Sequence, residues 1–199
     1  MNSPSFRLMS LLAIWALLAA LAGGSGLLPH LPRFVFPLLV AGLSVSLSVA
    51  TARLAWLRAA VAGISTRRLL AVHLVRFVGA YFLVLESAGR LPHQFAQRAG
   101  WGDIMAAAGA LILLCLPGTP SSRRALFGWN LLGAADLLLA VGTAGWLNSV
   151  HPNSMREISH LPLALVPLFV VPVLMGSHLV LLRRHFDRSR SALPSTALA

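Results

Sequence analysis

Six apolar runs set the terms for this chain, at residues 7–28, 34–56, 69–86, 102–117, 125–149 and 161–182. The hydrocarbon core of a bilayer is about 30 Å thick, so roughly twenty apolar residues in a helix suffice to cross it. Lipid offers no partner to an unpaired backbone group, and runs of this length cross as helices rather than as strands. The expected fold is therefore all-α, a polytopic transmembrane helix bundle of about six spans. The fourth run is the shortest and requires tilt or local thinning of the bilayer. One domain is expected over 1–182, followed by a basic, disordered cytoplasmic tail at 183–199. The breaks fall at "PHLPR" (29–33), "WLRAAVAGISTRR" (56–68), "PGTPSSRR" (117–124) and "HPNSMREISHLP" (151–162). Residues 1–22 also have the layout of a signal peptide, with Ala20-Leu21-Ala22 as an A-x-A site; cleavage there would leave five spans.

Composition agrees with the runs. Only 11% of the residues are charged, against about a quarter in soluble domains. All sixteen basic residues are Arg. Without Lys there is no Schiff-base chemistry and no Walker lysine for a nucleotide phosphate. Cys115 is the single cysteine, which excludes an intramolecular disulfide, a C-x-x-C-H haem attachment and a thiolate zinc site.

The arginines orient the chain. One set of alternate loops holds Arg7, Arg58, Arg67, Arg68, Arg123, Arg124, Arg183, Arg184, Arg188 and Arg190, and the other holds Arg33, Arg90, Arg98 and Arg156. The positive-inside rule then places both termini in the cytoplasm of a bacterial inner (plasma) membrane. The net charge of +11 is accounted for as topology anchors on the lipid bilayer rather than a nucleic-acid surface.

With that orientation, depth follows from the helical rise. His73 lies about 6 Å from the inner end of its span and Arg76 about 10 Å. Asn130 lies about 8 Å in, Asp136 about 16 Å, and His178 about 6 Å on the sixth span. Polar groups of three helices thus share one layer. On the third span His73, Arg76, Gly79, Leu83 and Glu86 fall within about 140° at ideal α-helical phase. Gly133 lies between Asn130 and Asp136, and Trp129 stacks near the same face. A charge at mid-bilayer costs about 3 kcal/mol on insertion scales, so Arg76 and Asp136 are expected to face inward and pair. Two readings stay open: a self-neutralised ion pair with hydrogen-bonding glue, or a binding pocket or proton relay made of His73, Arg76, Trp129, Asn130, Asp136 and His178. Pro167 and Pro172 add an expected kink or unwound turn to the sixth span.

The segment 86–104, "ESAGRLPHQFAQRAGWGDI", is expected to lie in the interface, with a short helix in "HQFAQRA" ended by Gly100. As a lid it would set Glu86, His93, Trp101 and Asp103 around an outer vestibule. Its carboxylates and histidine show no fixed ligand spacing, so no metal is assigned.

The series "HLVR" (73–76), "GRLP" (89–92), "GWGD" (100–103) and "WNLLGAAD" (129–136) resembles a group of small, uncharacterised bacterial multi-pass inner-membrane proteins, over residues 70–182. The resemblance implies an integral membrane fold and brings no activity and no site roles.

Three function classes follow. In small-solute or ion/proton-coupled transport, Arg76 would hold an anionic group, Asp136 would carry a proton, Trp129 would form a wall, and the sixth span would move. Small-residue faces would allow a homo-oligomer. The redox alternative is a haem b ligated by His73 and His178. The third is a non-catalytic accessory or assembly protein whose polar core fixes packing only. An intramembrane protease built on "GGSG" (23–26) is rejected, because Ser25 and His178 fall at opposite faces while a nucleophile needs its base within about 3 Å. Transport is the working expectation, without catalysis and without a resident cofactor.

Overall fold

The computed structural model describes residues 3–32 and 34–191. Among the described residues there is no strand, and the chain is a helical bundle in the order α1 (Pro4–Gly24), α2 (Val35–Arg53), α3 (Ala55–Ala62), α4 (Thr66–Ala71), α5 (Gly79–Ser87), α6 (His93–Cys115), α7 (Pro120–Val150) and α8 (Val171–Ser191). A 3₁₀ segment, Val72–Val78, joins α4 to α5 without a break in direction, and a π-helical turn, Val166–Val170, leads into α8. Among the described residues six helical stretches are long and apolar enough to cross a membrane: Pro4–Gly24, Val35–Arg53, Thr66–Ser87, His93–Cys115, Pro120–Val150 and Val166–Asp187.

Local chemistry sets several of these ends. Ser3 caps α1 by accepting from the Phe6 amide, with Pro4 in the first turn where its missing N–H is harmless. Thr119 and Ser122 form a capping box at the start of α7, again with proline at the first position. Ser65 caps α4 through the Arg68 amide.

The helices are not equal partners. Within their most apolar windows α1 and α2 are 11% buried, whereas the third span is 39% and the sixth 44% buried. The centre of the bundle is accordingly α4–α5, α6 and α8, closed by α7, with α1 and α2 outside it. Phe82, Leu85, Phe95, Ala99 and Leu147 pack one end of this centre, and Leu69, Val180 and Leu181 pack the other. Val40, Leu137, Val171 and Leu174 fill the side toward α2.

Four expectations need correction. The fourth span does not start at 102: α6 begins at His93, so "HQFAQRA" is its first two turns and not a separate interfacial helix. Gly100 ends nothing; a Cβ there would lie 2.9 Å from the Gly79 carbonyl, so the glycine permits α5 and α6 to touch backbone to backbone. The break at 56–68 contains α3, which buries Leu57 and Ala60. The segment after Arg183 is not a loose tail from its start, because α8 runs on to Ser191. Arg184 donates to the carbonyls of Val61 (2.9 Å) and Ile64 (2.7 Å), tying that extension to the end of α3. Residues 192–199 lie outside the described residues.

Candidate functional site

The 3₁₀ segment Val72–Val78 is where the polar core begins. Residues three apart eclipse one another in a 3₁₀ helix, whereas an α-helix rotates them by 60°. His73 and Arg76 therefore project from one line, and the line continues: Leu70, His73, Arg76, Gly79, Phe82 and Leu85 are all buried. The buried face expected from α-helical phase had Leu83 and Glu86 in place of Phe82 and Leu85; the tighter winding shifts it. His73 is 0% and Arg76 1% exposed, among the most enclosed large side chains of the protein.

Arg76 spends its donors on three groups from two helices. Its Nε donates to Asp103 Oδ1 at 2.6 Å, its Nη1 to the Gly133 carbonyl at 3.0 Å, and its Nη2 to Asp136 Oδ2. The pairing of Arg76 with Asp136 is present, but Asp103 is a second carboxylate partner that the sequence reading had put in the outer vestibule. The correction follows from the start of α6: ten residues past His93, Asp103 lies about 15 Å down the helix, near its middle. The signal for it was available in "GWGD", where Gly100 clears α6 of a side chain toward α5 and Gly102 clears it toward α7. A Cβ on Gly102 would collide with the Asp136 carboxylate.

Beside this triad stand two imidazoles. Ser177, also missed in the sequence, donates its hydroxyl to the Leu174 carbonyl (2.8 Å), which can only accept. Its oxygen must then accept from His73 Nε2, 2.7 Å away, and His73 carries its proton on Nε2. The Asn130 amide nitrogen donates to the His178 carbonyl (3.1 Å), so the Asn130 oxygen faces His178 Nδ1 (2.8 Å) and takes its hydrogen. By elimination, His73 Nδ1 and His178 Nε2 are bare acceptors, and both are buried with no hydrogen-bond partner among the described residues. The two rings lie 4.4 Å apart, centroid to centroid. Trp129 stands edge-on to His73 at 4.9 Å and donates its indole N–H to the Ala106 carbonyl at 2.9 Å. Gly133 is obligatory here, since a Cβ would lie 2.8 Å from His178 Cε1 and 3.4 Å from Arg76 Nη1.

His73, Arg76, Trp129, Asn130, Asp136 and His178 thus meet in one cluster, together with Asp103 and Ser177. Of the four residues assigned to an outer vestibule, Glu86, His93 and Trp101 form a separate chain: Glu86 accepts from His93 Nδ1 and from Gln97 Nε2, and Gln97 accepts from Trp101 Nε1 at 3.2 Å. Asp103 does not join them.

A haem iron does not fit between His73 and His178. Two iron–nitrogen bonds of about 2 Å plus the ring radii need about 6 Å between centroids. The observed 4.4 Å is too short for an iron between the rings in this arrangement. Among the described residues no group of three or more His, Cys, Asp or Glu side chains is arranged to hold a metal ion.

A family model described as "Domain of unknown function (DUF8737)" matches residues 33–186, and the chain belongs to that family. The match takes in every residue of the polar core and leaves out α1. No curated protein and no solved structure matches the chain.

Proposed function

We propose that this DUF8737 chain is a bacterial inner-membrane protein, with both termini cytoplasmic, that couples movement of a small solute or ion to a proton carried in its polar core. One observation supports this reading. A single permanently charged guanidinium is clamped between two carboxylates, with two bare imidazole nitrogens alongside. With Asp103 and Asp136 ionised and both histidines neutral, the core holds one positive and two negative charges. Uptake of one proton brings it to neutrality, and a net charge in the bilayer interior is costly. A core made only for packing needs one carboxylate per arginine and no idle acceptors.

We assign that proton to Asp136, the least enclosed carboxylate of the triad. Its side chain is 24% exposed, against 9% for Asp103 and 1% for Arg76. The imidazole pair offers the next acceptors inward. A proton shared head-on by two nitrogens about 2.8 Å apart sets ring centroids about 5 Å apart, so the 4.4 Å pair needs only a small rotation.

The test uses the full-length protein in liposomes containing a pH-sensitive dye, energised with a potassium diffusion potential. Protons should enter several-fold faster than in empty vesicles, alone or with one member of a panel of carboxylates, amines, sugars and monovalent cations. The triple variant R76Q/D103N/D136N should fold and fall to background. Wild-type flux equal to empty vesicles across the whole panel, or full flux in the folded triple variant, would leave the core with a packing role only.

A further inference from the structure

A cavity of about 180 Å³ opens at the arginine-poor end of the bundle, between α2, the end of α7 and the loop before the π-helical turn. Its floor is apolar, made by Phe36, Val40, Val141 and Pro167. Its polar lining consists of Asn148, Asn153, Arg156 and Ser159. No carboxylate lines it, and Arg156 is the one charged side chain among the described lining residues. The nearby acid, Glu157, is engaged with Arg90. The Arg156 side chain makes no hydrogen bond or ion pair with the described residues; its backbone alone is engaged, the carbonyl accepting from His160 Nδ1 at 2.9 Å and the amide donating to the Asn153 carbonyl at 3.1 Å.

The π-helical turn shapes the floor. Val171 N–H reaches back to the Val166 carbonyl, one residue further than in an α-helix, and the widened turn carries Pro167 as a cavity wall. Such turns are frequent at functional sites.

We infer that this cavity binds a small aliphatic monocarboxylate, its head group on Arg156 and the Asn153 amide, its chain on the apolar floor. A cationic, donor-rich mouth above a closed hydrocarbon floor selects for a molecule with one anionic end. At about 180 Å³ the space is well below that of a drug-sized pocket and takes a chain of only a few carbons. The same chemistry could be supplied by an anionic lipid with one acyl end inserted. The free short-chain acid is the better match, because the floor is closed by Val40, itself 4% exposed, rather than leading on along the bundle. The inference goes beyond the proton reading and does not depend on it.

The experiment is calorimetric titration of the purified full-length protein in detergent with sodium hexanoate, against hexanol and hexylammonium and with blank micelles subtracted. Hexanoate should bind at one site, at least tenfold more tightly than hexanol, and hexylammonium should give no signal. Arg156→Gln should remove that tenfold preference. Ala144→Phe, which fills the cavity from α7, should abolish binding without loss of helical content. Equal binding of hexanol and hexanoate, or unchanged binding in both variants, would overturn the inference. So would phosphatidylglycerol binding that hexanoate cannot displace. Hexanoate binding without any proton flux would uphold this site and defeat the coupling proposal.

Discussion

Asp136→Asn should cost far less stability than Arg76→Gln, although the two residues hydrogen-bond to each other. The reasoning is charge arithmetic. The core contains Arg76, Asp103 and Asp136, which sum to −1 in the ionised state. Arg76→Gln leaves two facing carboxylates and a sum of −2. Removing one side of a buried ion pair costs about 3–5 kcal/mol, and Arg76 is 1% exposed, so nothing but protein surrounds the loss. Asp136→Asn instead leaves Arg76 paired with Asp103 at 2.6 Å and brings the sum to zero. The amide oxygen still accepts from Arg76, so the expected cost is within about 1 kcal/mol, in either direction. Asp103→Asn should lie between, since its side chain is more enclosed than that of Asp136. The double variant D103N/D136N, with a sum of +1 and an uncompensated guanidinium, should return to the 3–5 kcal/mol range. The assay is unfolding in mixed micelles by titration with dodecyl sulfate, followed by circular dichroism. A gap of about 4 kcal/mol is roughly a thousandfold in the unfolding equilibrium, well outside the error of such curves. If D136N is destabilised as strongly as R76Q, charge balance does not govern this core. The geometry of the triad would then be its main contribution.

Four further outcomes follow from other contacts. Gly79→Ala should destabilise by about 1–3 kcal/mol in the same titration, because the added methyl meets the Gly100 carbonyl, a backbone atom that cannot swing aside. An unchanged transition would mean that α5 and α6 are not in backbone contact. Nitrogen-15 spectra of the histidines should show His73 protonated on Nε2 and His178 on Nδ1. Ser177→Ala should release the His73 tautomer and cost about 1–3 kcal/mol for the stranded donor, whereas a mixed His73 signal in the wild type would contradict the assigned network. Arg184→Ala should speed amide exchange over residues 59–69 and leave α6 and α7 unaffected, since its guanidinium holds the Val61 and Ile64 carbonyls.

The sequence made the spans legible because membrane crossing depends on little beyond the length of an apolar run. It also brought His73, Arg76, Asn130, Asp136 and His178 together, because depth along each helix needs only the rise per residue. What failed was rotation. His73 and Arg76 lie in a 3₁₀ segment, where each residue turns about 120° instead of 100°, and the excess accumulated across Val72–Val78 rotates the helix that follows relative to an unbroken α-helix. Nothing in "VHLVRFV" announces that winding, which the packed bundle imposes. Asp103 was misplaced for another reason. Gly100 reads as a helix stop under rules made for water, yet in lipid a helix has no competing solvent for its backbone, and glycine there serves close packing. Ser177 was passed over because a hydroxyl beside a histidine carries no signal until the third helix is known to face it.

The asymmetry of burial gives the core a direction. Arg76, His73, Asn130 and His178 are all at or below 3% exposed, and the apolar clusters around Phe82 and around Leu69 and Val180 pack the two ends of the bundle centre. Asp136 alone reaches an edge, between α6 and α7, and it reaches it only because Gly102 leaves room for its carboxylate. Around that edge the helices present Met105, Leu132 and Leu139, each at least 65% exposed, so the carboxylate opens onto an otherwise hydrocarbon face. An ionised group in such a place is unfavourable, and a protonated one is nearly at no cost. Arg76 beneath it supplies the compensating charge, so the guanidinium and the space left by Gly102 together let a carboxylate sit at this edge.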